Sequence, residues 1–255
     1  MDQQHLVTDQ FGPTARNYLA SPTHAHGADL KRLTALVRER QPALVLDLGC
    51  GAGHVSYVLA PHVQAVTAYD LSAPMLTVVA EEARRRALPT IEVVEGSAEN
   101  LPFADDTFDW IVTRLSAHHW TDIAQALKES RRVLKADGVF IVIDVVAPEA
   151  PLLDTILQSV ELLRDASHVR DYRFSEWFAL LNAAGFVIDE SHAWKLEMSF
   201  ASWIARMRTP ELRAQAIRSI FAGAAAEVKT YFAVREDDSF RLDVAWITAR
   251  PHHLR

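Results

Sequence analysis

Short apolar runs alternate with amphipathic segments along the middle of this chain. The apolar runs lie at residues 43–48, 65–69, 91–94, 108–112 and 139–146. Between them, apolar residues recur at the spacing of helices that are buried on one face. Short strands that alternate with helices are typical of a parallel sheet with helical crossovers. The pattern therefore predicts an α/β fold.

The segments between the later strands have clear start and stop signals. The clearest of the crossover helices has Thr121 as its predicted N-cap. It is predicted to include Leu134 and to stop at Gly138. Further along, the pattern predicts helices at 152–164 and 175–184, a strand at 186–191 and a last strand at 241–249.

Two helical regions flank this core. Leu30, Leu33 and Val37 are spaced for one buried face, and Pro42 ends that helix, so residues 1–42 are expected to form a lead-in that serves as a lid. Residues 199–238 are expected to be a helical insertion that acts as a cap. No internal repeat or low-complexity linker interrupts the chain. We therefore predict one domain over residues 1–255, with its core at 43–146.

Composition and charge narrow the range of partners. The 255 residues are 49% hydrophobic and 23% charged, which is ordinary for a folded globular protein. A net charge of −7 argues against a nucleic-acid partner. A single cysteine, Cys50, leaves no intramolecular disulfide and favours a reducing compartment. Residues 1–6 lack the pattern of a signal peptide, so we expect a cytoplasmic protein with no membrane span.

Three glycines follow the first predicted strand. They stand in the stretch 45–53, Val-Leu-Asp-Leu-Gly-Cys-Gly-Ala-Gly. Glycines there allow a tight turn and a close approach of the backbone to a ligand, and the next helix begins with free N–H groups. A dinucleotide fingerprint would need its third glycine where this chain has His54. Asp47, just before the turn, suits a ligand that carries an ammonium group, as methionine does.

Asp70 ends the second predicted strand. It lies 21 residues after Gly49, close to the offset of about 20 at which an acid binds ribose hydroxyls. The alternative is that Asp70 only caps the next turn, with Ser72 capping the helix that contains Met75.

Further motifs follow in order along the chain. They are Gly-Ser-Ala-Glu-Asn-Leu-Pro-Phe at 96–103, Phe-Asp at 108–109, and Arg-Val-Leu-Lys at 132–135 before Gly138. Together with the glycine turn and Asp70, they resemble the class I S-adenosylmethionine-dependent methyltransferases. The pattern is most similar to small-molecule enzymes such as the quinone-biosynthesis C-methyltransferases. The resemblance covers residues 11–146 with specific motifs.

The resemblance implies a Rossmann-like, doubly wound sheet of seven strands, mostly parallel with an antiparallel C-terminal strand, and a helical cap. It also implies S-adenosylmethionine as cofactor and S-adenosylhomocysteine as product. In such enzymes the glycine turn holds the methionine part, the acid after the second strand holds the ribose, and the turn after the third strand contacts adenine. The expected cofactor-binding residues are Tyr18, Asp47, Gly49, Cys50, Gly51, Gly53, Asp70, Leu71, Met75, Ser97, Ala98, Glu99, Arg114 and Leu115.

Three of these positions carry a further expectation. Many relatives have Asp where this chain has Ser97, so backbone groups are expected to supply part of the adenine contact. Phe11, Ala15 and Tyr18 fit the aromatic spacing of the N-terminal helix that folds over the cofactor in such enzymes. Tyr18 is expected either to close the pocket or to be a core tyrosine. Cys50 is expected to pack under the cofactor and not to act as a nucleophile.

His118 and His119 follow the fourth predicted strand, at the edge where doubly wound sheets bind ligands. An imidazole there can bind a carboxylate, orient an acceptor oxygen or accept its proton. The alternative is that one histidine caps the next helix and the other packs beside Trp120. A metal site is not expected, because no third ligand stands at a recognisable spacing.

The predicted reaction is methyl transfer to a small-molecule acceptor. A phenol or a carbon acid would use a histidine as base, and Trp177, Trp203, Phe200 and Met207 would suit an aromatic acceptor unless they only fill the core. Two rivals are a nucleotide-dependent oxidoreductase and a non-catalytic sensor or partner subunit. The sequence leaves open whether the chain forms a homodimer.

Overall fold

The computed structural model describes residues 2–12, 15–19 and 27–252. Seven strands in this part of the chain form one sheet, in the order β3-β2-β1-β4-β5-β7-β6. They are β1 (Leu44–Leu48), β2 (Ala65–Asp70), β3 (Ile91–Glu95), β4 (Phe108–Arg114), β5 (Leu134–Val145), β6 (Phe186–Met198) and β7 (Phe240–Pro251). Only β7 is antiparallel to its neighbours among the described strands. The predicted Rossmann-like sheet with an antiparallel C-terminal strand is confirmed.

Helices cover both faces of the sheet and also the end of the sheet at which the central parallel strands terminate. They are α1 (Gln3–Phe11), α2 (Ala15–Leu19), α3 (Ala28–Arg40), α4 (His54–Leu59), α5 (Ala73–Arg85), α6 (Ile123–Val133), α7 (Pro151–Arg164), α8 (Phe174–Ala183), α9 (Phe200–Met207), α10 (Glu211–Gly223) and α11 (Ala226–Tyr231). The lead-in also contains residues 13–14 and 20–26, which lie outside the described residues.

The central strands are buried on both faces. In β1, Leu46 and Leu48 pack into one core while Val45 packs into the other. In β4, Ile111 and Trp110 divide in the same way. A strand that is buried on both sides has a nearly continuous apolar sequence, which explains why the apolar runs predicted the inner strands well.

The strand order reverses between β1 and β4, because the chain leaves β1 towards β2 on one side and returns to β4 on the other. The loops after these two strands therefore diverge and leave a crevice at their carboxyl ends. This topology positions the site.

Some predicted boundaries were wrong. Asp122, and not Thr121, is the N-cap of α6, because its carboxylate accepts a hydrogen bond from the backbone of Gln125. The same helix ends at Val133, and Leu134 begins β5, where it pairs with Phe108. The strand predicted at 186–191 continues to Met198 because its whole length pairs with β7.

The insertion at 199–238 contains α9, α10 and α11. Trp203 and Phe221 from these helices pack around Phe240 of β7. None of the described residues 199–238 lines the cavity that is introduced below. No helix in the described ranges is both long enough and apolar enough to cross a bilayer.

Candidate active site

A cavity of about 1050 Å³, including its open mouth, lies at the carboxyl ends of β1, β2 and β4. Its lining contains every predicted cofactor-binding residue except Gly53: Tyr18, Asp47, Gly49, Cys50, Gly51, Asp70, Leu71, Met75, Ser97, Ala98, Glu99, Arg114 and Leu115. Residues that lie as far apart in the chain as Tyr18 and Leu115 thus surround one space.

The glycine turn is tied to the end of β2. The backbone N–H groups of Gly49 and Cys50 both donate to the carbonyl of Tyr69, at 2.8 and 3.0 Å. Gly49 and Gly51 have positive φ values of 72° and 50°, a region that favours glycine. A Cβ on Gly51 would meet no heavy atom within 4 Å, so Gly51 exposes bare backbone to the cavity. This surface is an open cradle for a ligand.

The other two glycines of the turn serve packing. A Cβ on Gly49 would collide with the hydroxyl of Ser116, in the loop that leads to His118. A Cβ on Gly53 would lie 2.8 Å from the Tyr57 ring, and Gly53 starts α4 with a φ of 85°. Gly53 therefore shapes the turn from below and is not exposed to the cavity.

Asp47 fixes the turn to α4 from the buried side. Its Oδ2 accepts hydrogen bonds from the backbone and the hydroxyl of Ser56, at 2.9 and 2.6 Å. The side chain is almost fully buried. Burial raises the pKa of Asp47 to about 7, although the Ser56 bonds act in the opposite direction. The carboxyl is therefore poised to ionise when a positive group arrives in the cavity.

Asp70 holds two turns at once. Its Oδ2 accepts from the N–H of Gly51 at 2.8 Å, and its Oδ1 accepts from the N–H of Ser72 at 2.9 Å. Each carboxylate oxygen can accept a second bond, so two acceptor sites remain for a ligand. Burial raises the pKa of Asp70, and the two N–H groups oppose that effect. The turn-capping alternative is thus correct for Asp70 but does not exclude the ribose role, while the Ser72 hydroxyl makes no capping bond.

Ser97 and Glu99 form a short polar network beyond β3. The Ser97 hydroxyl donates to the Glu99 carboxylate, whose Oε1 accepts from the backbone of Thr121 at 2.9 Å. From above, the amide of Gln4 donates to the Ser97 hydroxyl at 3.2 Å. The predicted adenine turn is therefore held on one side by α1, a contact that sequence reasoning missed.

The N-terminal helices form one wall of the cavity. Phe11 and Tyr18 both line it, with ring centroids 5.5 Å apart. Ala15 packs against Met75 in a small core. The Tyr18 hydroxyl lies 2.7 Å from the sulfur of Met207, and burial raises the pKa of Tyr18. Tyr18 is thus a wall residue, as one of the two alternatives predicted.

β4 ends at Arg114, and Leu115 follows directly. Both residues line the cavity. Arg114 forms a buried ion pair with Asp29 at the start of α3. Leu115 has a positive φ of 52°, an uncommon conformation for a residue other than glycine. This bend turns the chain towards the two histidines.

His118 is held by a carboxylate from the next strand. Its Nδ1 lies 2.6 Å from Oδ1 of Asp144, which stands in β5. Burial lowers the pKa of His118, but the charges of Asp144, Asp171 and Glu161 outweigh burial and raise the pKa to about 9. His118 is therefore protonated at neutral pH. Within the described residues its Nε2 has no hydrogen-bond partner, and the side chain is 14% exposed.

His119 differs from His118 in its position, in the partner of its Nδ1 and in its charge. It lines the cavity, and its ring packs 4.2 Å from that of His118 and 4.9 Å from that of Phe11. Its Nδ1 lies 3.1 Å from the carbonyl of Ser167, which can only accept, so Nδ1 carries the proton. Burial and the charge of His118 lower the pKa of His119 to about 4. His119 is neutral at physiological pH.

The aromatic residues suggested for the acceptor have a different role. Trp177, Trp203, Phe200 and Met207 are each at most 2% exposed and belong to the core. None of them lines the cavity. The cavity lining also contains residues that the sequence did not single out, including Gln3 and Val7 of α1.

Cys50 is buried, and burial raises the pKa of its thiol, so it is a poor nucleophile. Across the described ranges no cluster of His, Cys, Asp and Glu has the arrangement of a metal site.

Comparison with known proteins agrees with this geometry. The methyltransferase domain family matches residues 46–142. The uncharacterized protein YafE of Escherichia coli is 48% identical over 201 residues, which cover 79% of this chain and 97% of YafE. A demethylmenaquinone methyltransferase of Lactiplantibacillus plantarum is 32% identical over 164 residues, which cover 60% of this chain and 68% of that protein.

The crystal structure of YcgJ from Bacillus subtilis superposes with a TM-score of 0.86 and 34% identity, over 90% of this chain and all of YcgJ. YcgJ is named an uncharacterized methyltransferase and is 36% identical over 224 residues, 88% of each chain. The sheet and the glycine-turn cavity define the class I methyltransferase fold. The chain belongs to the S-adenosylmethionine-dependent methyltransferase family.

Proposed function

We propose that the cavity binds S-adenosylmethionine and that the chain transfers its methyl group to a small hydroxyl-bearing acceptor. One observation carries the proposal: the open backbone of Gly51 and the free acceptor sites of Asp70 face the same cavity, joined by a hydrogen bond of 2.8 Å. A ligand that places an amino-acid part on the turn and a ribose on the carboxylate would use both.

The residues present fit this cofactor. The cradle at Gly51 has room for the methionine part, and Asp47 offers a carboxyl that an ammonium would ionise. Asp70 has lone pairs for two ribose hydroxyls. Leu71 and Ala98 add apolar walls at the adenine end. When bound, S-adenosylmethionine supplies a methyl group that is already activated on a sulfonium.

His118 is the best candidate to handle the acceptor's proton. Asp144 fixes its Nδ1, so that Nε2 is the nitrogen left for an acceptor that reaches past His119, the member of the pair that lines the cavity. The protonated Nε2 of His118 and the acceptor hydroxyl together carry two protons, whereas a productive complex shares only one between them, so one proton leaves to solvent when the acceptor binds. His118 then either takes the hydroxyl proton or donates to the resulting oxyanion. His119, neutral and at the cavity wall, positions the acceptor beside it.

The raised pKa of His118 also indicates the chemical class of the acceptor. A hydroxyl group with an acidity near that of phenol can share a proton with an imidazole whose pKa is about 9. The relative from Lactiplantibacillus plantarum is named for a quinone substrate, which supports an aromatic acceptor. We therefore infer a phenol or a quinol as the acceptor.

Isothermal titration with S-adenosylhomocysteine and with NADH tests the cofactor assignment. We expect S-adenosylhomocysteine to bind and NADH to show no heat of binding. The reverse result would refute the proposal. A single-turnover assay with labelled methyl and a panel of phenols, quinols and small acids then separates an enzyme from a non-catalytic sensor, since a sensor would bind the cofactor and transfer nothing.

A further inference from the structure

Two glutamines in the first turn of α1 line the cavity on different sides. The amide of Gln3 donates at 2.7 Å to the carbonyl of Ser167, which also accepts from Nδ1 of His119. The amide of Gln4 donates at 3.2 Å to the hydroxyl of Ser97, in the turn after β3. Neither glutamine has a place in the proposed chemistry so far.

The Ser97 hydroxyl has no hydrogen bond left for a ligand. It donates to the Glu99 carboxylate, and its oxygen accepts from the amide of Gln4 at 3.2 Å and from the backbone N–H of Glu99 at 3.3 Å. A hydroxyl has one hydrogen and two lone pairs, so all of its bonding capacity is in use. A polar ligand group beside Ser97 must therefore be bound by another residue.

The same network fixes the orientation of the Gln4 amide. A carboxylate can only accept, so Glu99 holds the Ser97 hydrogen and Ser97 offers Gln4 only lone pairs. Gln4 therefore presents its NH₂ group to Ser97. Its Oε1 has no hydrogen-bond partner among the described residues. If the amide turned over, two acceptors would meet, so Oε1 is the acceptor that stays available to a ligand.

The order of the strands brings the base of the cofactor to this point. The glycine turn follows β1, Asp70 ends β2, and Ser97 follows β3, the next strand of the sheet. A cofactor with its methionine part on the glycine turn and its ribose on Asp70 continues in the same direction, so its adenine reaches Ser97 and Gln4. The exocyclic amino group of adenine is a donor, which a glutamine oxygen can accept.

We propose that Gln4 binds the exocyclic amino group of adenine and so selects S-adenosylmethionine against cofactors whose base carries an oxygen at that position. This inference rests on the proposed function, because it assumes that S-adenosylmethionine occupies the cavity. Gln4 is then a specificity-determining residue that α1 supplies, while Ser97 and Glu99 act through it as positioning residues.

The test compares two ligands by calorimetry. They are S-adenosylhomocysteine and S-inosylhomocysteine, in which an oxygen replaces the amino group. We expect the wild type to prefer the adenosyl compound by about tenfold or more, because the inosyl oxygen would face the Gln4 oxygen. Gln4→Leu, which keeps a side chain of similar size, should weaken the adenosyl compound by about three- to tenfold, the scale of one hydrogen bond. It should not weaken the inosyl compound, whose unchanged binding also shows that the variant is folded.

Gln3→Leu is the matched control. It removes the same kind of amide from the same turn of α1, together with its bond to Ser167, and should retain the full preference for the adenosyl compound. Ser97→Ala tests the orientation of the amide. Without the Ser97 oxygen the Gln4 amide can turn either end to the ligand, so this variant should lose much of the preference although Gln4 is intact.

Several results would overturn the inference. Equal affinities of the two compounds for the wild type would mean that the amino group is not recognised. An unchanged preference in Gln4→Leu would assign the amino group to Glu99, and an equal fall in Gln3→Leu would mean that the glutamines only hold α1 in place. A full preference in Ser97→Ala would contradict the fixed amide. Failure of the proposed function is distinct, because then the wild type would not bind S-adenosylhomocysteine.

Discussion

The two sides of the cavity are built by different means. On the cofactor side, the glycine turn and the end of β2 form a surface made largely of backbone, fixed by the bonds from Gly49, Cys50 and Gly51 to residues 69–70. On the proposed acceptor side, His119 and α1 present side chains that come from distant parts of the chain, while His118, bonded to Asp144, packs against the ring of His119. A backbone surface depends on a short local motif, whereas a side-chain surface depends on how separate segments pack. The first can be recognised in a sequence, and the second requires the fold.

The largest expected effect concerns the acceptor side. His118→Ala should lower turnover by about 10²–10⁴-fold, the usual contribution of proton transfer, and leave the dissociation constant of S-adenosylhomocysteine within about twofold. His119→Ala should lower turnover less, because the positive charge belongs to His118 whereas His119 is neutral. Single-turnover rates together with calorimetry measure both quantities. A parallel loss of turnover and cofactor affinity would mean that the acceptor side is not independent of the cofactor side.

On the cofactor side, Asp70→Ala should weaken S-adenosylhomocysteine binding by about 1–3 kcal/mol, the scale of lost charged hydrogen bonds. The upper part of this range is expected because the variant also releases the N–H groups of Gly51 and Ser72. Titration calorimetry gives the number. Glu81→Gln, which removes an exposed acid from α5, is the control and should change nothing. An unaltered affinity for Asp70→Ala would contradict the ribose assignment.

The pairing of His118 with Asp144 can be measured without an acceptor. Because the folded pKa of about 9 lies above the ordinary value of 6.5, this pair stabilises the fold fully below pH 6.5 and loses its contribution as pH rises through 9. The contribution is on the order of 3 kcal/mol. Thermal unfolding of the wild type should show this decline between pH 6.5 and 9, and Asp144→Asn should show a clearly smaller one, because only Asp171 and Glu161 then still raise the pKa of His118. The same slope in both proteins would contradict the ion pair.

The smallest expected effect is at Asp47. With its pKa near 7, the carboxyl is mostly neutral at pH 5.5 and mostly ionised at pH 8 in the empty protein. Asp47→Asn should therefore bind S-adenosylhomocysteine as well as the wild type at pH 5.5, and should bind about tenfold less tightly at pH 8. Affinities from calorimetry at the two pH values are the test. A constant ratio between the two proteins would show that Asp47 only braces Ser56.

The difference between local motifs and contacts made by distant segments also explains which parts of the fold the sequence could predict. The apolar runs located β1 to β4 within two residues. For β1 and β4 the reason is burial on both faces, which leaves a continuous apolar signal, whereas β3 lies at the edge of the sheet and is half-buried or exposed along its whole length. The extension of β6 to Met198 was missed although its second half alternates between half-buried and exposed positions, a pattern that itself indicates a strand, and its full length is set by pairing with β7. Leu134 was assigned to a helix although its place is set by pairing with Phe108, which no local pattern records.

Within the site, the motifs predicted cofactor-binding residues of which all but Gly53 line one cavity, but they gave little guidance for the acceptor. Nothing local distinguishes His118 from His119; the difference comes from Asp144, 26 residues later, and from the carbonyl of Ser167. One feature of the sequence could have pointed to Asp144: it stands near the end of a predicted strand, where parallel strands of such sheets carry their functional residues. The bond from Gln4 to Ser97 joins residues 93 positions apart, and no feature of the sequence pointed to it.

The collision that a side chain at Gly49 would make with Ser116 joins the two sides at one point. During evolution these positions are therefore expected to change together, and a residue larger than glycine at 49 should be found only where 116 has become glycine. If the loop after β4 changes in sequence to accept another substrate, residue 116 must still stay small, because it packs against position 49. This requirement limits how far the substrate preference can change without a loss of cofactor affinity.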